Sequence, residues 1–162
     1  MTKVAKAGDI FFIPVNEKNA VAFIASHFSR EFYIAVYDVL VTDFSEAQKV
    51  VKECDPVFLC LTFDAFLVLK KWTVVGSMED HIGKIPRPSF KVGINGQIHV
   101  VSMYDERSRP ATDGEIEQLR FRGTVTPKVV DMAIKARFGI GGNWAYFKNL
   151  EADYAIETEG LV

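Results

Sequence analysis

Three apolar runs open the chain, each closed by a short polar segment. Gly8 precedes Ile10-Phe11-Phe12-Ile13, which is apolar on both alternating faces and so predicts a strand buried on both sides. Pro14 predicts that this strand ends there or runs along an edge. Asn16-Glu17-Lys18-Asn19 reads as a turn and residues 20–28 as a second strand. Ser29-Arg30-Glu31 reads as another turn and residues 32–41 as a third strand, rich in aromatic and β-branched side chains. Strands joined by turns this short form an antiparallel meander, because parallel pairing needs long crossovers.

The period then changes. Ser45 and Gln48 fit a capping box, and Ala47, Val50, Val51 and Cys54 recur at i, i+3, i+4 and i+7. This predicts an amphipathic helix stopped by Asp55-Pro56, with a strand over 48–52 as the alternative. Residues 57–63 are uniformly apolar, and their length and composition favour a buried strand. Asp64 is placed to cap a short helix over 65–71, with Lys70 and Lys71 complementing its C-terminal dipole. Trp72-Thr73-Val74-Val75 reads as a strand stopped by Gly76, and residues 77–88 as a loop. Asn95-Gly96 between Phe90–Ile94 and Gln97–Tyr104 is a hairpin signal.

Farther on, Thr112 and Glu115 form a capping-box pattern before a short helix reaching about Leu119. Thr126-Pro127 supplies the N-cap and first position of a clearer helix, with Val129, Met132, Ala133 and Ala136 as its apolar stripe and Gly139 at its stop. Trp144, Phe147 and Leu150 are spaced to pack back on the fold. Residues 151–162 are acidic and read as a loosely ordered tail. The pattern predicts one α+β domain over residues 1–162. Its mainly antiparallel sheet is expected to be strongly curved, SH3-like or a partly open barrel, with two or three short helices.

Composition supports a core without staples: 13 Phe stand against 2 Trp in 162 residues. Cys54 and Cys60 make no CxxC or disulfide framework and read as two buried small hydrophobes, in keeping with a reducing cytoplasm. The N-terminus carries no signal-peptide pattern. The longest apolar stretch, Pro56 to Leu69, is broken by Asp64, so no membrane span is expected. Residues 1–83 hold 8 basic and 11 acidic side chains, residues 84–137 hold 10 and 6, and residues 138–162 hold 1 and 4. So mild an asymmetry speaks against a nucleic-acid binder and is compatible with a protein partner recognised by charge.

Candidate chemistry is sparse. His27, His81 and His99 lie in no metal-ligand spacing, so neither metal nor cofactor is expected. No GxSxG elbow or catalytic-cysteine signature is present, which argues against an enzyme. Gly139-Ile140-Gly141-Gly142 lacks the strand and the Lys-Ser/Thr of a phosphate loop and reads as a helix stop. Two charged groups remain. Asp43, Glu46, Glu79, Asp80 and His81 can form an acidic face of the kind that steers onto a basic partner. Arg107, Arg109, Arg120 and Arg122 can alternatively hold an anion, as in a small-ligand or nucleic-acid-binding β module, though the neighbouring Asp105, Glu106, Glu115 and Glu117 balance them.

Three stretches in order carry a family resemblance. Gly8-Asp9-Ile10-Phe11-Phe12-Ile13-Pro14, Lys71-Trp72-Thr73-Val74-Val75-Gly76 and Ile85-Pro86-Arg87-Pro88-Ser89-Phe90 resemble the immunity protein 26 family of bacterial polymorphic-toxin systems. The likeness runs over roughly residues 6–94, and Asn19-Ala20-Val21-Ala22-Phe23 departs from the family's more polar second strand. It implies a cytoplasmic protein that binds and blocks a cognate protein toxin by stoichiometric occlusion, without catalysis. The shared residues are structural in character. Gly8 frees a turn, Asp9 can accept backbone N–H groups at the strand entrance, and Trp72 and Phe90 supply core area.

Overall fold

The computed structural model describes residues 4–162. Along the chain the elements are β1 (Asp9–Val15), β2 (Lys18–Phe28), β3 (Glu31–Val41), α1 (Phe44–Glu53), β4 (Phe58–Phe63), α2 (Ala65–Val68) and β5 (Thr73–Ser77). A 3-10 helix over Glu79–Lys84 follows, then β6 (Ser89–Ile94), β7 (Gln97–Ser102), β8 (Ser108–Pro110), α3 (Asp113–Gln118), β9 (Thr124–Val125), α4 (Pro127–Arg137), a second 3-10 segment (Trp144–Leu150) and α5 (Asp153–Thr158). They form two compact units. The larger unit runs up to Ile85 and takes in Thr124–Ala152; the smaller joins Pro86–Gly123 to Asp153–Val162.

The larger unit is built on a six-stranded sheet of order β5-β1-β2-β3-β4-β9, antiparallel except for the β4–β9 pair. The meander read from the sequence is present. Its turns place Asn16 and Ser29 at φ 56 and 58, a conformation that a short polar side chain tolerates. Pro14 sits inside β1 opposite Asn19 of β2, past Phe12 where the pairing with β5 stops, so one side of the strand is an edge there. Both faces of the meander are buried, as the run of apolar residues requires. One face, with Phe11, Ile13, Ala22, Ile24, Ile34 and Val36, packs under Val130, Ala133 and Ile134 of α4. The other carries Phe23, Tyr33, Ala35 and Tyr37, and α1 lies against β2 and β3 with Ala47, Val50 and Val51 buried.

Trp72 anchors the first face. It is 2% exposed and stacks on Phe11 at 5.1 Å between ring centroids, although its Nε1–H finds no acceptor among the described residues. Asp9 is buried, and its carboxylate accepts the Lys6 N–H at 2.9 Å, the strand-entrance role that its chemistry suggested. Gly8 has φ +94, and a Cβ there would meet Glu79 at 2.8 Å.

Several local expectations move. The N-cap of α1 is Asp43, not Ser45. Where β3 ends, the extended Asp43 accepts the Glu46 N–H on its carboxylate, so the cap lies two residues upstream and no capping box forms among the described residues, the Glu46 carboxylate turning to Thr42 instead. Cys54 is the C-cap of that helix and is exposed; only Cys60 is buried, where burial pushes its thiol up to about 12. On α4 the buried stripe is Val130, Ala133, Ile134 and Ala136, while Met132 is 46% exposed. Helical periodicity permits either stripe, and tertiary packing chooses the one with Ile134 inward. The helix ends in a Schellman motif at Gly139, φ +76, with Gly139 N–H to Ala136 C=O and Ile140 N–H to Lys135 C=O. Leu150 is buried and Phe147 packs on the core; the side chain of Trp144 lies outside the described residues.

The smaller unit holds a three-stranded antiparallel sheet, β6-β7-β8. Its hairpin turns at Asn95-Gly96 with both φ positive, as that dipeptide predicts. Thr112 and Glu115 form the capping box of α3. The final residues depart from the loose tail suggested by their acidity. α5 buries Ala155 and Thr158, and the Thr158 hydroxyl accepts the Ser89 N–H at 3.1 Å and donates to the Tyr154 C=O at 2.8 Å. Net charge does not reveal such side-chain-to-backbone anchors.

Candidate functional site

The acidic group is divided by the fold among capping, pairing and packing roles. Asp43 caps α1, and Glu46 accepts from the Thr42 hydroxyl at 2.6 Å. Glu79 pairs with Lys6 at 2.5 Å on the surface. Asp80 is exposed in the Glu79–Lys84 helix. His81 is buried edge-on against Phe23, with centroids 5.4 Å apart, and burial lowers its pKa, reinforced by Lys84. No hydrogen bond or ion pair joins Asp43 and Glu46 to Glu79 and Asp80 among the described residues. The Phe44 ring lies against Gly76.

The four arginines all fall in the smaller unit. Arg109 grips Glu115 through a two-pronged pair at 2.8 and 2.6 Å and donates to the Leu161 and Pro110 carbonyls at 3.0 and 3.1 Å. Glu115 is held down to about 2 by Arg109 first, then by the Thr112 N–H. Arg122 donates to the Met103 carbonyl at 2.8 Å and lies over Tyr104; Arg120 lies 4.5 Å from the centre of the Tyr154 ring. Arg107 lines a cavity of about 230 Å³ together with Arg87, Glu106 and Glu159, so both charge signs face it. Arg109 and Arg122 thus brace the unit from within. Among the described residues no cluster of three or more His, Cys, Asp or Glu is placed to hold a metal. No helix there is long and apolar enough to cross a membrane.

A different surface stands out on the larger unit, and the sequence reading passed over it. β4 ends at Phe63. The Asp64 N–H then donates to the Arg30 carbonyl at 3.1 Å, tying this corner to the β2–β3 turn. α2 has only four residues, so it can turn one side inward. Leu67 is buried, while Val68 and Leu69 are 50% and 64% exposed. Lys70 takes φ 56, and the N–H groups of Lys71 and Trp72 both bond to the Phe66 carbonyl, at 2.8 and 3.0 Å. The chain is thereby reversed, and the Lys71 ammonium lies 4.8 Å over the Phe66 ring.

The first turn of α4 completes the surface. A groove of about 580 Å³ is lined by Arg30, Phe63, Phe66, Pro127 and Lys128. A second, of about 510 Å³, is lined by Pro14, Phe66, Lys71, Lys128, Asp131 and Lys135. The two share Phe66 and Lys128. Phe28, 66% exposed, stands across Glu31 from Phe63 in the strand register. The signal was present in Phe63-Asp64-Ala65-Phe66-Leu67-Val68-Leu69-Lys70-Lys71. So short a helix cannot hide both sides of so apolar a run.

No protein-family model matches the chain, and no curated protein or solved structure is significantly similar to it.

Proposed function

We propose that this chain is an immunity protein of the bacterial cytoplasm that neutralises a cognate protein toxin by stoichiometric occlusion, without catalysis and without a cofactor. The observation that carries the reading is the pair of exposed rings Phe28 and Phe63, neighbours across Glu31 in the strand register, beside a groove that Phe63 and Phe66 line. Large exposed apolar side chains clustered beside grooves and rimmed by charge are the usual mark of a protein-binding face. The three ordered motifs that resemble immunity protein 26 supply the kind of partner. Their residues Asp9, Trp72 and Phe90 serve the fold, which leaves the surface free to follow its own toxin. The finer architecture belongs to the same reading: a strongly curved, SH3-like or partly open barrel sheet. Register shifts at Ile10/Phe11, Ala20/Val21 and Ile24/Ser26 support it, since bulges increase local bend and twist. The alternative of a small-ligand or nucleic-acid-binding module loses its main motive where Arg109 and Arg122 are engaged within their own unit.

The test is coexpression with the C-terminal domain of any long secreted protein encoded beside this chain. Rescue of growth and a one-to-one complex on size exclusion are expected. A chain that gives neither rescue nor complex is not its immunity protein.

A further inference from the structure

Resting on that reading, we propose that the two grooves meeting at Phe66 and Lys128 form one docking track for an acidic, extended segment of the toxin that carries apolar side chains. The anchors are apolar: Phe63 is exposed and lines the first groove, and half-buried Phe66 lines both. A few desolvated apolar or aromatic contacts dominate most protein interfaces.

The charges select the partner's sign. Lys135 is occupied by Asp131 at 2.7 Å, and Lys71 lies over Phe66. The side chains of Arg30 and Lys128 have no ion-pair or hydrogen-bond partner among the described residues, and both border the 580 Å³ groove. Asp64 is the one carboxylate in the lining of that groove. Arg30, Lys71 and Lys128 therefore leave a cationic excess around an apolar floor, which a segment bearing Asp or Glu complements and a basic segment opposes. It follows that the chain does not act here by imitating a nucleic acid. A basic, phosphate-binding surface on the toxin would be repelled, so occlusion starts from an acidic element of the toxin and proceeds by covering what lies beside it.

The experiment measures affinity of the purified toxin domain for the full chain and three surface variants: Arg30→Glu/Lys128→Glu, Phe63→Ser and Asp80→Lys. Circular dichroism establishes that each is folded, and size exclusion gives the state of the chain alone. The first two variants are expected to weaken binding about tenfold or more. Wild-type affinity is expected to fall as salt is raised, with a smaller salt dependence in the charge-reversed variant. Asp80→Lys, on the acidic side, is expected to bind within about twofold of wild type. Toxin binding at wild-type strength by both groove variants overturns the docking track and leaves the immunity reading standing. A wild-type chain that neither binds nor protects overturns both. A self-associated chain that Phe63→Ser converts to monomer assigns the groove to a second copy and also overturns the track.

Discussion

The two units solve the same problem with different materials. In the larger one, stability rests on area: Trp72, Tyr33, Tyr37, Phe11 and Phe23 head the largest fully buried side chains, and every member of that set down to Ile134 and Val15 lies in this unit. The smaller unit buries Phe90, Val100, Val101, Met103 and Leu119 but relies on long side chains bonded to backbone. The Tyr154 hydroxyl donates to the Ser89 carbonyl at 2.7 Å and accepts the Arg120 N–H at 3.0 Å. Lys91 reaches the Ile116 carbonyl at 2.8 Å, and Arg109 reaches that of Leu161. A small unit has too little interior to stand on apolar burial alone, so directional bonds carry a larger share. Such bonds are individually weak in net terms, yet each is costly to half-remove.

That contrast can be broken by substitution. Ile134→Ala empties a fully buried site on α4 and is expected to cost about 2–5 kcal/mol, read from the urea midpoint. A loss well under 1 kcal/mol would mean that the larger unit does not depend on its packed interior. Gly76→Ala probes the same unit from the crowded side. A Cβ there would sit 2.3 Å from the Phe44 ring, so a loss of about 1–3 kcal/mol is expected, and Phe44→Leu in the same chain should recover part of it. In the smaller unit Tyr154→Phe keeps the ring against Phe90 but orphans the Ser89 carbonyl and the Arg120 N–H. About 1–2 kcal/mol should be lost, with faster amide exchange at Arg120 as the local readout. An unchanged stability would show that area dominates there too.

The smallest effect is electrostatic. Because Arg109 and Thr112 hold Glu115 at about 2 against an ordinary 4.5, its carboxylate stabilises the fold above pH 4.5, and that contribution fades as pH falls toward 2. Glu115→Gln should therefore be less stable than wild type at neutral pH, with the gap closing across that acidic window. A gap independent of pH would remove the charge from the account.

Legibility in the sequence followed the range of the forces. The meander, the Asn95-Gly96 hairpin, the Thr112–Glu115 box and the Gly139 stop are written in neighbours, and each is present in the structure. The inward stripe of α4 was not legible, because two stripes satisfy one period and only the sheet beneath decides. The Glu79–Lys84 helix and α5 are held by contacts such as His81 on Phe23 and Thr158 on Ser89, which link residues 58 and 69 positions apart. The candidate groove was hidden for the same reason. Arg30, Phe63 and Lys128 are distant in the chain, and only the turn of α2 puts Phe66 between them.

The way the chain is threaded has a consequence for its synthesis. The smaller unit interrupts the larger between Ile85 and Thr124, and each is finished by a later segment. As residues emerge from a ribosome in order, the first five strands lie exposed on one face until α4 at Pro127–Arg137 arrives to cover them. The hairpin of β6 and β7 waits longer still, for Tyr154 and Thr158. A nascent chain therefore carries an uncovered apolar sheet while residues 78–126 are being made, the interval in which a holding chaperone has the most to protect.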